Sequence, residues 1–296
     1  MVRRQTRRCK DHKERGRRPA VRFTVEKISA EARRLGHGRS PGRVASALSE
    51  NGVAVHGFPV DRAQAPEIWR GWRAAHRRTG LWPVVTSVDP ASLAASPANT
   101  ERLGRGGPAG LVAALDADPE AVVAEVVDAA TRDILAQADD DEREEWRAEL
   151  DPVRLAGLLR PAGAAPSAGD VWDHEEHRPG DELWLCLVEA EEGFELPVLL
   201  PGVPDAPNWW SEPAQRPLLP ADHVAFLRSW HERFGAEVFF ADGATLRLVV
   251  ARPPSDPLTA ARVAVEHFAY CSDLADDLLV MGNDRVRSTV WSFWWD

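Results

Sequence analysis

Four side chains in the last quarter of the chain have the chemistry of a hydrolase site: His231, Glu266, His267 and Cys271. His267 and Cys271 stand four residues apart, a spacing that places an imidazole base and a thiol on one face of a helix. The two His/Glu neighbours, 231–232 and 266–267, point in different directions on a helix, so they are not acid–base dyads. Cysteine is also a common small core residue, and the apolar run before Cys271 favours that interpretation.

A second group of polar residues gathers carboxylates and imidazoles within residues 170–181. His174 and His177 are its metal-ligand candidates, because divalent metals accept both ligand types. Their order is His-Glu-Glu-His, whereas a zincin places His-Glu-x-x-His on one helix face. The Arg-Pro-Gly run at 178–180 predicts a loop, which does not hold ligands rigidly. The favoured interpretation is a solvated loop without a metal, and no other cofactor is expected.

Motifs of the commoner enzyme classes are missing from the sequence. It contains no Gly-rich phosphate loop, no G-x-S-x-G nucleophile elbow and no kinase motif set. We therefore predict no catalytic residues, with the four side chains above as the alternative.

Tryptophan is the unusual feature of the composition, with 12 Trp against 1 Tyr. Most are expected to build the core, because aromatic side chains bury a large area. Trp209, Trp210 and Trp294 are the predicted binding residues, since Trp is enriched among interface anchors.

Side chains of the last predicted strand, 289–295, point alternately to the two faces of the sheet. Trp291, Phe293 and Trp295 share one face, and Trp294 lies on the other. If the C-terminal helices cover the first face, the second face needs either the N-terminal half or a partner to cover it.

The elements that position these residues are clearest in the C-terminal half. An apolar run at 183–188 predicts a central strand that is covered on both faces. Amphipathic helices follow at 222–234 and 257–270, separated by two strands with an Asp-Gly hairpin signal at 242–243. With the last strand the order is β-α-β-β-α-β, which predicts an α+β fold with a ferredoxin-like sheet.

The N-terminal half indicates a smaller α/β region. Residues 44–48 and 66–77 are predicted to be helical, and 81–85 to form a strand. A stretch rich in Ala, Ser, Pro and Gly predicts a loop over 90–110, and Asp118, followed by proline, predicts a helix start.

Composition divides the chain into four segments. They are a disordered basic arm over 1–43, the N-terminal α/β region over 44–160, a linker over 161–182 and a C-terminal domain over 183–296. The arm holds 15 of the 36 Lys and Arg and 4 of the 46 Asp and Glu, which leaves 21 basic against 42 acidic residues in the rest.

This charge distribution bears on the partner. A basic arm can follow phosphates, but the acidic body repels nucleic acid, so nucleic-acid binding is not expected. A solvated tail and a later start of translation are alternatives for the arm. The acidic body favours a basic protein partner, such as a toxin or a nucleic-acid-binding enzyme, because complementary charge accelerates encounter.

The short apolar runs and the cysteine spacing indicate the cellular location of the protein. No run reaches the length of a bilayer span, and no apolar stretch of a secretory signal follows the first arginines. Cys9, Cys186 and Cys271 have unrelated spacings, as expected for reduced thiols. A cytoplasmic protein without a membrane partner is predicted.

Several segments carry a family resemblance. They are Trp-Ser-Phe-Trp-Trp-Asp at 291–296, Leu-Arg-Ser-Trp at 227–230, Arg-Pro-Pro at 252–254 and Glu-His-Phe-Ala-Tyr-Cys at 266–271. They resemble a bacterial family catalogued as domain of unknown function 4253, with a terminal W-x-F-W-W-D signature. The resemblance is most specific over 183–296 and extends back to about residue 44. It implies no activity, cofactor or catalytic residue.

The sequence thus favours a non-enzymatic protein-binding module with an acidic, Trp-bearing surface. The alternative is a hydrolase with a His/Glu/Cys site between the two halves. Polar side chains that converge in a deep pocket would favour the enzyme, and a broad acidic surface with exposed Trp would favour the binder.

Overall fold

The computed structural model describes residues 24–36, 43–49, 51–95, 107–161, 166–172, 182–200, 202–274 and 277–296. The chain divides into two units, residues 1–40 and 41–296. In the first unit, helix α1 spans Val25–Arg34, and Thr24 caps it by accepting a hydrogen bond from the backbone N–H of Lys27. Within the arm predicted to be disordered, residues 25–34 are helical, whereas 1–23 and 37–42 lie outside the described residues.

A seven-stranded sheet and a small hairpin form the strands of the second unit, among its described residues. The strands are β1 (Ala45–Leu48), β2 (Ala54–Val60), β3 (Leu81–Thr86), β4 (Leu183–Glu189), β5 (Trp210–Ser211), β6 (Arg216–Pro217), β7 (Ala236–Asp242), β8 (Thr245–Val250) and β9 (Val290–Trp294). The sheet order is β1-β2-β4-β3-β7-β8-β9, and β5 pairs with β6. Strands β3 and β7 pair in parallel, and the other neighbours are antiparallel.

Helices of the second unit flank the sheet. They are α2 (Ala65–Thr79), α3 (Pro90–Ala94), α4 (Gly107–Asp116), α5 (Pro119–Gln137), α6 (Asp140–Glu149), α7 (Pro152–Leu158), α8 (Leu196–Leu199), α9 (Pro220–Phe234), α10 (Pro257–Tyr270) and α11 (Leu278–Val280). Among the described residues, none of the helices is both long and apolar enough to cross a bilayer.

Local sequence signals explain where the longer helices begin and end. Asp118 and Asp256 accept hydrogen bonds from backbone N–H groups in the first turns of α5 and α10, and a proline follows each. Gly235 ends α9 at a φ of 65°, a left-handed conformation that favours glycine. These predicted helix boundaries are confirmed.

Residues 45–48, predicted to be helical, form strand β1 instead. β1 pairs antiparallel with β2, and Gly52 in their connection has a φ of 74°. The strand forms because long-range pairing outweighs the weak helix propensity of a short segment. The loop predicted over 90–110 contains α3 and the start of α4, whereas residues 96–106 lie outside the described part.

The fold is α+β, as predicted, but the C-terminal strands share their sheet with the N-terminal region. Elements β4, α9, β7, β8, α10 and β9 follow one another in the predicted order. However, β3 lies between β4 and β7, and β9 pairs with β8. This strand order replaces the predicted ferredoxin-like sheet, in which the four strands of the unit pair with one another. The linker expected at 161–182 consequently does not separate two sheets.

Helices α9 and α10 cover one face of the outer strands. Trp230 of α9 is fully buried, and its ring centroid lies 5.6 Å from that of Trp291 and 5.2 Å from that of Phe293, both on β9. Trp295 donates its indole N–H to the carbonyl oxygen of Tyr270 at 3.1 Å. The three aromatic side chains predicted to share the core face of this strand are buried together.

The N-terminal helices pack on the outer side of α9 and α10. Ser229 Oγ donates to the carboxylate of Glu120 on α5 at 2.7 Å, and Trp146 of α6 stacks on Phe268 at 5.6 Å between centroids. Helix α9 therefore lies between the sheet and a second helical layer, which explains why it is buried over most of its surface.

Helix α2 and the segment 166–172 cover part of the opposite face. Trp172 packs against Phe239 of β7 at 5.5 Å between centroids, and Arg247 of β8 donates to the carbonyl oxygen of Val171 at 3.0 Å. α2 lies against β3 and β7. At β9 this cover is incomplete, because the side chains on that face of the strand remain half-buried or exposed.

Candidate functional site

The first two residues of the alternative hydrolase site, His231 and Glu266, have separate structural partners. Glu266 accepts hydrogen bonds from the guanidinium of Arg233 at 2.6 and 2.9 Å, and from the indole N–H of Trp230 at 2.8 Å. His231 donates through Nδ1 to the carbonyl oxygen of Ala236 at 3.1 Å. These contacts join α9 to α10 and to the start of β7.

His267, the third candidate, lies in the aromatic core. Its ring centroid is 4.6 Å from Trp291, 4.8 Å from Phe293 and 5.0 Å from Trp230. Burial lowers the pKa of His267, and the charges of two nearby arginines add to this effect. The imidazole is therefore neutral, and its Nε2 has no hydrogen-bond partner in the described part of the chain. Its role here is packing.

Cys271, the fourth candidate, is not poised as a nucleophile. Its thiol donates to the main-chain oxygen of Trp294 at 2.9 Å, and burial raises the pKa of Cys271 to about 12. Such a thiol stays protonated at neutral pH, whereas the thiolate is the reactive form. Within the described residues, no hydrogen bond or ion pair joins the side chains of His231, Glu266, His267 and Cys271, so they do not assemble into a site.

We expect Cys186 and Cys271 to be inert to an aromatic disulfide reagent in the native protein. Both are buried, and burial raises the pKa of each thiol. The measurement uses a Cys9→Ser variant at pH 8, which should show no labelling when native and two labelled thiols after unfolding in guanidinium. A native thiol that reacts as fast as the unfolded control would contradict the burial of these residues.

The metal candidates His174 and His177 lie outside the described residues. Within the ranges that the structure does describe, no group of three or more His, Cys, Asp or Glu side chains is placed to hold a metal ion. The expectation that the 170–181 loop binds no metal stays a prediction.

Of the three predicted binding tryptophans, one is buried and two are exposed. Trp209 is 7% exposed and donates its indole N–H to the carbonyl oxygen of Ala269 at 2.9 Å, so it belongs to the core and not to a surface. This hydrogen bond joins the residue before β5 to the C-terminal turn of α10. Trp210 is 50% exposed and Trp294 is 38% exposed.

Trp294 lies at one end of the sheet, where four segments of the chain meet. We call this surface the acidic end and define it by Trp294 and four carboxylates, which belong to Asp205, Asp242, Asp273 and Asp296. All four aspartates are half-buried or exposed. The segments 205–210, 242–245, 271–273 and 294–296 contain no Lys or Arg.

Hydrogen bonds between the segments hold the acidic end together. They are Asn208 Nδ2 to the Asp273 carboxylate (2.6 Å), the N–H of Asp296 to the same carboxylate (3.0 Å), the N–H of Asp205 to Gly243 O (2.7 Å) and the N–H of Trp295 to Ala244 O (3.0 Å). The surface is therefore built on fixed backbone and not on a free loop.

A buried polar pair that the sequence did not predict lies next to the acidic end. His223 of α9 and Tyr270 of α10 share a hydrogen bond of 2.6 Å between Nδ1 and Oη, and Trp295 packs against the imidazole. Burial lowers the pKa of His223 to about 3, so the ring is neutral. The pair joins the two helices that support β9. Its members are too far apart in sequence for any spacing rule to connect them.

Comparison with known proteins gives one match. Residues 184–296 match the model of the family described as Domain of unknown function (DUF4253). No curated protein and no solved structure matches the chain. The matched residues contain α9, β7, β8, α10 and β9, and hence all segments of the acidic end. The predicted resemblance to this family is confirmed over residues 184–296.

Proposed function

We propose that the protein is a non-catalytic binding module that uses the acidic end to hold a basic segment of another protein. One observation carries the proposal: Trp294 is an exposed aromatic side chain on a hydrogen-bonded frame, among four aspartates and without Lys or Arg in the same segments.

The charge of this surface supports a basic partner. The four carboxylates of the acidic end lie in a body that holds 42 acidic and 21 basic residues over 44–296. Such a field attracts a positively charged segment and raises the association rate. It also opposes binding to nucleic acid or to another acidic protein.

Trp294 supplies the apolar part of the contact. Tryptophan is enriched among residues that dominate interface energetics, because its large ring buries much area at a small entropy cost. The frame around it is already fixed by hydrogen bonds, so binding requires little ordering. Trp210, the last residue of the 205–210 segment, offers a second exposed aromatic side chain.

Affinity capture from native extract tests the proposal. We expect the wild-type protein to retain proteins rich in Lys and Arg at physiological salt and to release them at about 1 M salt, where the Debye length falls to about 3 Å. Trp294→Ala should lose this retention because it removes the aromatic anchor. Asp273→Asn should weaken it, since the amide keeps an acceptor for the N–H of Asp296 but removes the charge.

Two matched variants serve as controls. Leu158→Ala on α7 truncates an exposed apolar side chain, and Asp140→Asn on α6 removes an exposed charge, both away from the acidic end. The controls should retain the same proteins as the wild type. The proposal fails if Trp294→Ala and Asp273→Asn behave like the controls, or if the retained proteins are not basic.

A further inference from the structure

Strand β9 forms one edge of the sheet, and most of that edge is unpaired in the described structure. β9 pairs with β8 on its inner side. On its outer side, the described segment 166–172 lies beside the start of the strand. Ser167 bridges to Ser288 and accepts the N–H of Thr289 at 3.0 Å, and Gly169 lies against Val290. No described strand lies beside Val290–Trp294 on that side.

The antiparallel register shows which main-chain groups point outward. On the β8 side, the carbonyl oxygen of Thr289 accepts the N–H of Val250 at 2.8 Å, and the N–H of Trp295 donates to the carbonyl oxygen of Ala244 at 3.0 Å. Because inward and outward groups alternate along an antiparallel strand, the residues with odd numbers face β8. The N–H and C=O groups of residues 290, 292 and 294 therefore point away from the sheet.

Two of these six outward groups already have partners. The N–H of Val290 donates to Ser288 Oγ at 3.1 Å, and the carbonyl oxygen of Trp294 accepts the Cys271 thiol. The other four are the C=O of Val290, both groups of Ser292 and the N–H of Trp294. Within the described residues, nothing pairs with them. One extended strand along this edge would satisfy all four.

The composition of β9 does not oppose such pairing. Natural edge strands commonly carry Lys or Pro, which block the addition of a further strand. β9 reads Val-Trp-Ser-Phe-Trp and contains neither residue.

Charge indicates which strand fits. The outer edge of β9 ends at the acidic end, where Asp273 accepts the N–H of Asp296, two residues beyond Trp294. A segment with Lys or Arg would complement these carboxylates. A second copy of β9 paired in parallel would bring its own Asp296 against these carboxylates and is disfavoured by repulsion. A copy paired antiparallel is distinguished by the test below.

We propose that an extended, basic segment of a partner protein pairs with β9 as an eighth strand of the sheet. This inference rests on the proposed function and adds the mode of recognition. Main-chain hydrogen bonds to residues 290, 292 and 294 supply affinity, Trp294 receives an apolar side chain, and Asp273 and Asp296 select Lys or Arg.

A peptide library tests strand addition on the wild-type full-length chain. The probes are nine-residue peptides in which Lys or Arg alternates with Val, Ile or Thr, and binding is followed by fluorescence anisotropy. The best binder is then N-methylated on either of its two sets of alternate residues. One set should lower affinity at least ~10-fold and the other less than ~2-fold, because only one set of amides faces β9.

Hydrogen exchange of individual amides provides a second readout. The amides of Ser292 and Trp294 should become protected when the peptide binds, since they gain acceptors. The amides of Trp291 and Phe293, which face β8, serve as internal controls and should change little. A peptide with Glu in place of Lys should neither bind nor protect.

The outcomes separate the two proposals. Equal effects of the two N-methylated sets, with binding still dependent on Trp294 and Asp273, overturn strand addition and leave the proposed function standing. Absence of any binder in the library also overturns strand addition, while the capture experiment decides the proposed function. A dimer in which Ser292 and Trp294 are protected without peptide would mean that a second copy occupies the edge, and overturns the inference too.

Discussion

Replacing Trp291 by alanine should lower the free energy of unfolding by about 3–5 kcal/mol, the range for a large aromatic side chain removed from a core. Trp291 is 1% exposed and packs against Trp230, Phe234 and His267. Its indole N–H also donates to the carbonyl oxygen of Val286 at 3.1 Å, so truncation leaves a buried acceptor without its donor. Urea unfolding of the variant and the wild type measures the difference.

Trp294→Ala on the same strand is the matched control. The two positions share strand and residue type but differ in burial, because Trp294 lies on the opposite face and is 38% exposed. Its truncation should cost less than about 1 kcal/mol, as for other substitutions away from the core. A Trp291→Ala protein as stable as the wild type would contradict the strand assignment, and with it the outward direction of Trp294.

The difference in burial between Trp291 and Trp294 could be predicted from the sequence, because it depends only on the alternation of side chains along one strand. Three aromatic side chains at every second position specify which face of a strand is buried, whatever the strand pairs with. Helix boundaries at Asp118, Asp256 and Gly235 were equally local, since a capping side chain or a left-handed glycine acts within one turn.

Strand order was not accessible in the same way. β3 enters the sheet between β4 and β7 through pairing between residues far apart in sequence, such as Val85 with Phe240. No local propensity encodes such a partner. For the same reason residues 45–48 were predicted to be helical, although their pairing with β2 makes them a strand.

The candidate surface was predicted only in part. Two adjacent tryptophans, Trp209 and Trp210, cannot both point inward from an extended segment, but the sequence does not say which one does. The carbonyl oxygen of Ala269, 60 residues away, decides this by accepting the Trp209 indole N–H. The meeting of Asp273 with Asn208 likewise depends on tertiary contacts.

The second prediction concerns the pH dependence of stability and Glu195, a residue that is 4% exposed in the turn after β4. Burial is the main cause that raises the pKa of Glu195 to about 7, and the charges of Glu191 and Glu192 add to it, although the carboxylate accepts the N–H of Glu191 at 2.8 Å. The ordinary pKa of a glutamate carboxyl group is 4.5. Between pH 4.5 and about pH 7, Glu195 therefore keeps its proton in the folded protein but has released it in the unfolded chain. Stability falls as pH rises through this window.

Glu195→Gln should remove that fall, because glutamine stays neutral and still offers an acceptor to the N–H of Glu191. The difference between the pKa values of Glu195 in the folded and unfolded states corresponds to a loss of about 3 kcal/mol in the free energy of unfolding once the group is ionised in both states. We expect the stability of the variant, relative to the wild type, to rise by about 2–3 kcal/mol between pH 5 and pH 8. Urea unfolding at a series of pH values measures it.

Comparing the wild type with Glu195→Gln separates the pH dependence caused by Glu195 from that caused by the buried histidines. Burial lowers the pKa of His223 and of His267, so their contributions have the opposite sign and are lost as pH falls below about 6.5. Because both proteins contain these residues, their effects cancel in the difference. A difference that stays constant from pH 5 to pH 8 would show that Glu195 ionises as an exposed glutamate does, and that the turn after β4 is open to water.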